Sequence, residues 1–522
     1  MTGMQDFFGR AAAAPERVVL VMAETGAHFT ASDVAHSALQ MAQWLHEQGL
    51  KPGERFAVLL ENRVEILALT LAARQAGLYA AVLSTHLTPP EIAYIVQDCE
   101  ARLVIASHKT LPQLSALPNS NPVPLWTVDD ATPQAPSLKT ALQAIHVLSA
   151  DFSDRPQGRD LLYSSGTTGR PKGVLKPLLS AQLRGHTDPE ALGLGRIMGM
   201  DAHTVYLSPA PLYHAAPLRY TLRVLELGGK AVIMERFDAE NALALIERYR
   251  VTHSQWVPTM FSRMLKLPAQ LRSRYDLSSH RVAIHAAAPC PIDVKHAMLD
   301  WWGDILMEYY AGSEGCGTTM ISATEWRQRP GSVGRPTTGK LHIVGDDGQE
   351  LPAGEIGQVY FSDGGQFSYL NDEEKTRQAI NEHGWITYGD IGHVDADGYL
   401  FLSDRRADLI LSGGVNLYPQ EIENALMRHA DVQEVAVVGV PHPDFGEYPL
   451  AVVVLRPQAE ASLTTAHAIT TQASQVLARI KLPQRMVFVE SLPRLETGKL
   501  LRRKLKERFR EEPQAGFAVR SA

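Results

Sequence analysis

The sequence predicts an α/β protein with a large amino-terminal domain, residues 1–403, and a smaller α+β domain, residues 404–522. Three observations carry that expectation. From Arg55 to Tyr309 short apolar runs alternate with helical patterns, as parallel sheets require, and the run is long enough for two layered α/β subdomains. From Gly331 to Ser403 the pattern shifts to short strands with Gly/Asp turns, such as Gly345-Asp346-Asp347-Gly348 and Asp395-Ala396-Asp397-Gly398, which reads as a small β-rich, barrel-like subdomain. Beyond Asp404 strands and helices mix in one compact stretch, and 522 residues are too many for a single core.

In chain order, Arg55–Leu60 reads as a strand, Val64–Ala76 as a helix ending at Gly77, and Tyr79–Leu83 as a strand. Pro90–Cys99 reads as a helix and Leu103–Ala106 as a strand, while Thr110–Pro136, rich in Pro, Ser, Asn and Asp, reads as an irregular surface connection. Ser180–Met200 is polar and Gly-containing and gives no firm assignment. Strands are expected at Thr204–Leu207, Ala231–Met234, His253–Val257, Val282–His285 and Ile305–Tyr309, with helices at Ala239–Arg250 and Pro291–Trp302. In the smaller domain Pro419 with Glu421 and Glu423 marks a helix start, because Pro suits the first turn and carboxylates suit the positive end of the dipole. Strands follow at Val435–Val440 and Leu450–Leu455, and Lys499–Glu511 reads as a basic helix.

Composition narrows the function. Hydrophobic residues make up 45% and charged residues 20%, ordinary for a globular protein, and a net charge of -7 argues against nucleic-acid binding as the main role. Three cysteines far apart, Cys99, Cys290 and Cys316, form neither a disulfide framework nor a zinc spacing, which points to a reducing cytoplasm. No apolar run reaches the ~18 residues of a membrane span, and the stretch Met1–Pro15 lacks the pattern of a signal peptide.

The most informative stretch is Tyr163–Val174, Y-S-S-G-T-T-G-R-P-K-G-V. Ser164, Ser165, Thr167 and Thr168 supply hydroxyls, Gly166, Gly169 and Gly173 supply bends, and Lys172 supplies a cation. Those are the parts of a loop that wraps phosphates with inward backbone N–H groups. The spacing is not that of a Walker loop, since Gly173 follows Lys172. A bland Ser/Gly linker would have no reason to end in an ordered Arg-Pro-Lys-Gly.

This stretch resembles the phosphate loop of the adenylate-forming acyl-CoA synthetases and ligases, and further stretches match that family in order along nearly the whole chain. Tyr309-Tyr310-Ala311-Gly312-Ser313-Glu314-Gly315 resembles the family's Y-G-x-[ST]-E motif, with Ala311 where Gly is usual. The resemblance places Tyr310 under the adenine, Ser313 near phosphate, and Glu314 on Mg²⁺. An aromatic face suits a purine, and a carboxylate suits Mg²⁺ completed by substrate phosphates. The same residues nearly form a G-x-S-x-G elbow, but Ala311 replaces the first Gly and no acid and His follow in recognisable contexts. His285-Ala286-Ala287-Ala288-Pro289 stands where the family has Gly-Gly-Ala-Pro, so Ala287, Ala288 and Pro289 would edge the adenine and Ala286 would open toward the acyl group. Trp256 reads equally as pocket lining or as core.

His214, closing Ser208-Pro209-Ala210-Pro211-Leu212-Tyr213-His214, is implied near the substrate carboxylate and acyl tunnel. Asp390 in Tyr388-Gly389-Asp390 would accept both ribose hydroxyls, as an acceptor-only carboxylate can. Asp404-Arg405-Arg406-Ala407-Asp408 resembles the hinge, with Arg405 reaching ribose and phosphate and Ala407 where Asp or Lys is usual. Gly413 and Gly414 resemble the loop that borders the pantetheine channel after rotation of a mobile cap domain. Lys499, in Pro493-Arg494-Leu495-Glu496-Thr497-Gly498-Lys499, resembles the catalytic lysine, and Thr168, His214 and Glu314 complete the implied catalytic set.

The resemblance implies an AMP-forming acid–thiol ligase using ATP, Mg²⁺ and CoA. The motif wording is most similar to bacterial fatty-acyl-CoA synthetases and relatives acting on bulky apolar acids. Two other readings stay open: a stand-alone ligase loading a carrier-protein thiol, and a non-catalytic acyl-nucleotide binding module. Homodimerisation is a family-level expectation only.

Overall fold

The computed structural model describes residues 5–118, 122–145, 149–164, 171–405, 408–412, 415–442, 446–494 and 500–519. Among them the strands form sheets of seven, thirteen and six. In the seven-stranded sheet the parallel strands Arg55–Leu59, Tyr79–Val82, Val104–Ala106 and Arg159–Ser164 are joined by an antiparallel hairpin, Arg159–Ser164 to Lys172–Leu175, with Ser368–Tyr369 at its edge.

The thirteen-stranded sheet runs parallel through Val205–Ser208, His253–Trp256, Val282–His285 and Leu306–Ala311. It then turns antiparallel at Thr318–Ser322 and continues without a break into the expected β-rich subdomain, Ser332–Thr338 to Leu400–Arg405. That subdomain encloses its own small core of Val333, Ile343, Val359, Phe361 and Leu400. The six-stranded sheet begins at Ile410–Ser412 and carries the Pro419–Leu426 and Leu463–Ala473 helices on one core and the Arg502–Glu511 helix on another. No helix among the described residues is long and apolar enough to cross a membrane.

Helices Ala31–Glu47 and Val64–Ala76 lie between the two large sheets. Val64–Ala76 is apolar around most of its circumference, which suits an element covered on all sides. Leu45, Leu67 and Leu71 join Leu20, Ile233 and Ile284 of one sheet with Phe56, Val58 and Ile105 of the other in one buried cluster. Burying each such side chain stabilises the fold by roughly 1.5–3 kcal/mol. Thr30 and Asp33 start the first of these helices with a reciprocal capping box.

The structure departs from the sequence expectation at three places. Thr110–Pro136 is not wholly irregular, since Leu125–Thr127 pairs in parallel with Val104–Ala106 at the sheet edge. Ser180–Met200 contains the helix Pro189–Met198, with Asp188 as N-cap, Pro189 in the first turn and Gly199 after its end. The expected basic helix begins at Arg502 rather than Lys499.

Glu226 ties these parts together at 2% exposure. Its carboxylate accepts from both terminal nitrogens of Arg74 at 3.1 and 3.2 Å and from the backbone N–H groups of Phe7 and Asp188 at 3.2 and 3.0 Å. Glu226→Ala leaves the Arg74 guanidinium without its carboxylate, bonded only through Nε to Gln157, and two orphaned amides. It should destabilise the large domain by about 3 kcal/mol in urea unfolding followed by tryptophan fluorescence.

Candidate active site

The hairpin that bears the hydroxyl-rich loop is closed by backbone pairing of Ser164 with Lys172. Ser165, Gly166, Thr167, Thr168 and Gly169 lie outside the described residues, as does the Ser164 side chain. Lys172 Nζ stands over the ring of Tyr369, 4.9 Å from its centroid, and the Tyr369 hydroxyl donates to Glu314 Oε1 at 2.8 Å. Burial and then Lys375 lower the Lys172 ammonium from its ordinary value, opposed by Asp372 and Glu314. The structure thus brings the phosphate-loop cation and the expected metal carboxylate to one place. Among the described residues no three His, Cys, Asp or Glu side chains cluster as a metal cage. With a nucleotide Mg²⁺ takes one or two carboxylates and completes its shell with phosphate oxygens and water, so Glu314 beside the phosphate-loop cation fits that ion.

Glu314 sits on the turn after the strand Leu306–Ala311. Gly312 in that turn has no room for a side chain, because a Cβ would lie 2.3 Å from the Tyr388 ring and 2.7 Å from Glu314 Oε2. One residue past Glu314, a Cβ at Gly315 would lie 2.3 Å from Lys176 Nζ, and its φ of +71° also favours glycine. Ser313 offers its carbonyl to Arg219 at 3.4 Å, and Arg219 pairs with Asp160 at 2.8 Å. Burial would raise the Asp160 pKa, but Arg219, with Lys176 and Arg159, outweighs it and holds the carboxyl below its usual range.

The expected nucleoside groups also meet. Tyr310 donates its hydroxyl to Asp390 Oδ2 at 2.6 Å, and Asp390 is buried. The Tyr310 ring meets Tyr388 edge-on, with centroids 5.7 Å apart. Arg405 is the cross-strand backbone neighbour of Asp390, although its side chain lies outside the description. Gly413, Gly414 and Lys499 also lie outside the described residues.

His214 caps the start of the helix Ala215–Glu226, with its ring 4.6 Å from that of Tyr213. The loop before it is stapled by Asn62, whose Oδ1 accepts from Leu212 N at 2.7 Å and whose Nδ2 donates to Ala210 and Met234 carbonyls at 3.2 and 2.8 Å. Ala286 is buried, whereas Ala287 and Pro289 are exposed and Ala288 is half-buried. Ala287 has φ +76°, a conformation that L-residues other than Asn and Asp rarely hold. Trp256 resolves to the core alternative: it is 1% exposed, packs on Phe237, Phe261 and Trp302, and donates its N–H to Ser254 Oγ at 2.6 Å. Beneath the alanines lies an ion pair that sequence reasoning missed, Lys295 with Glu308, both buried.

Asn62, Tyr369, Lys176 and Arg219 were not singled out from sequence either. Burial and then Arg219 push the Lys176 ammonium down to about 8 from an ordinary 10.5. Between those values the unfolded chain keeps a proton that the folded chain has released, so Lys176 makes stability rise with pH across that window. Lys176→Met should abolish that part of the rise, and urea unfolding of both proteins at pH 7 and pH 10 measures the difference.

The family described as AMP-binding enzyme matches residues 7–368, and the AMP-binding enzyme C-terminal domain matches residues 421–499. The chain is 32% identical over 513 residues to the long-chain-fatty-acid–CoA ligase FadD13 of Mycobacterium tuberculosis, covering 96% of this chain and 97% of the relative. It is 30% identical to a 2-succinylbenzoate–CoA ligase of Bacillus licheniformis, covering 95% and 98%. The fold superimposes on ATP-bound MatB from Rhodopseudomonas palustris with a TM-score of 0.85, at 28% identity and over 98% of this chain and 100% of that one. From the matched domains, the full-length relatives and the converging site together, the chain belongs to the AMP-binding family of adenylate-forming acyl-CoA ligases.

Proposed function

We propose that this protein activates an apolar carboxylic acid with ATP to acyl-AMP and pyrophosphate, then transfers the acyl group to the sulfur of CoA. The observation that supports the reading is the meeting of side chains from separate stretches of chain: Lys172 and Glu314 on Tyr369, and Tyr310, four residues before Glu314, on Asp390. A carboxylate is a poor acyl donor and is repelled by ATP, so the protein's work is positioning and charge compensation.

In the first half-reaction a carboxylate oxygen of the acid attacks the α-phosphorus and the bond to pyrophosphate breaks. Residues Ser164 to Thr168 with Lys172 hold the departing phosphates, Tyr310 and Ala287 to Pro289 border the base, and Asp390 with Arg405 holds the ribose. Glu314 would hold Mg²⁺, which would neutralise charge on the phosphates. Lys499 offsets negative charge between carboxylate and α-phosphate, and His214 borders the acyl carbonyl. In the second half-reaction the cap, residues 404–522, turns about Asp404–Asp408 and presents Gly413 and Gly414. The CoA thiol gives its proton to solvent, its sulfur attacks the acyl carbonyl, and the carbonyl–phosphate C–O bond breaks to release AMP.

An apolar acid is favoured by two points. FadD13 is a long-chain-fatty-acid ligase. The charged pair on the helix that His214 precedes, Arg219 with Asp160, neutralises itself.

Two outcomes follow. Lys499→Ala should lower ATP–pyrophosphate exchange by about 10²–10³-fold while sparing thioester formation from supplied acyl-adenylate; equal loss of both half-reactions would contradict the division of labour. In an ATP- and CoA-dependent assay over aliphatic, aryl and polycyclic acids, kcat/KM should be highest for long aliphatic or polycyclic acids. A preference for short or dianionic acids would contradict the apolar assignment.

A further inference from the structure

Tyr369 lies one residue beyond the matched region 7–368, yet it touches both charged groups of the phosphate side. Its backbone is fixed to the hairpin that leaves the phosphate loop: Tyr369 pairs with Val174, and Leu370 N donates to Gly173 O at 2.9 Å. Tyr369 N donates to Thr376 Oγ1 at 2.9 Å, and the Phe367 ring meets the Tyr369 ring edge-on with centroids 5.1 Å apart. The side chain is therefore held from several directions.

Lys172 and Glu314 both meet the Tyr369 side chain but make no ion pair with each other. The cation rests on the ring face and the carboxylate on the hydroxyl, so the tyrosine stands between them. With a small side chain at this position, the flexible lysine could reach the carboxylate. Such a pair would quench both charges before any nucleotide arrived, because a cation neutralised by a carboxylate no longer draws phosphate.

We propose that Tyr369 is a positioning residue for nucleotide and metal, a spacer that keeps Lys172 free for phosphate and aims Glu314 at Mg²⁺. The inference rests on the adenylate-forming reading and adds to it a device that links the two sheets at the cleft. The hydroxyl orients the carboxylate, as a hydrogen-bonded neighbour of a metal ligand commonly does. The ring supplies a platform for the ammonium.

The two roles separate by substitution. Fluorescent ATP binding is measured on the full-length protein without acid or CoA, across Mg²⁺ concentrations and in EDTA, together with the unliganded melting temperature. Tyr369→Phe keeps the ring and loses the hydroxyl. It should raise the Mg²⁺ needed for half-maximal ATP binding about tenfold and leave binding in EDTA unchanged. Tyr369→Leu should in addition weaken binding in EDTA about fivefold. Adding Glu314→Gln to Tyr369→Leu should restore binding in EDTA, because Lys172 is released from its new partner. Wild-type Mg²⁺ dependence in Tyr369→Phe would overturn the proposal, as would failure of Glu314→Gln to rescue the leucine variant. A loss equal with and without Mg²⁺ that tracks the melting temperature would show a merely structural tyrosine. Wild-type ATP binding tests the functional reading separately from the variants.

Discussion

Polar bridges span the gap between the large sheets, among them Tyr369 to Glu314 and Asp160 to Arg219. Tyr369 and Asp160 belong to the seven-stranded sheet, whereas Glu314 and Arg219 belong to segments of the thirteen-stranded one. The sheets themselves are held by apolar contact through the two helices between them, which is strong but non-directional. Apolar burial sets how closely the layers approach. The bridges set where the charged groups point, and a site for a polyanion depends on that second kind of control.

The cost of such a site is visible around it. Ala287 is held at positive φ at the end of the strand Val282–His285. Lys295 and Glu308 are buried together, and His285 beside them is fully buried with neither ring nitrogen hydrogen-bonded. Burial and then Lys295 drive the His285 pKa far down, so the ring is neutral. Each feature departs from what stability alone favours, and strain of this kind gathers where a surrounding structure over-determines it. The Lys295–Glu308 pair joins the helix Ile292–Trp302 to the strand that carries Tyr310, so it stiffens the floor on which the nucleoside groups stand.

The local part of this architecture was legible in sequence. Val64–Ala76 and Val282–His285 have the bounds that periodicity and Gly77 indicate. The motif around Tyr310 and Glu314 and the one around Asp390 pointed to residues that the structure brings together. The Pro189–Met198 helix carried readable signals in Asp188, Pro189 and Gly199, but its internal glycines diluted the apolar period. Leu125–Thr127 was not readable because three residues show no period, and only pairing with Val104–Ala106 makes them a strand. Asn62 and Tyr369 were hidden for a different reason. Each acts on a partner far along the chain, and nothing in its immediate neighbours marks it out.

On the proposed function, the hairpin root, the turn after Leu306–Ala311 and the Ile386–Val394 strand form a single adenylate site. Hydrogen exchange with and without a non-hydrolysable acyl-adenylate analogue tests it most directly. Lys172–Leu175, Ala311 to Gly315 and Ile386 to Asp390 should be protected jointly, with one concentration dependence for all three. Binding of the analogue that protects only one of these stretches, or none of them, would contradict it.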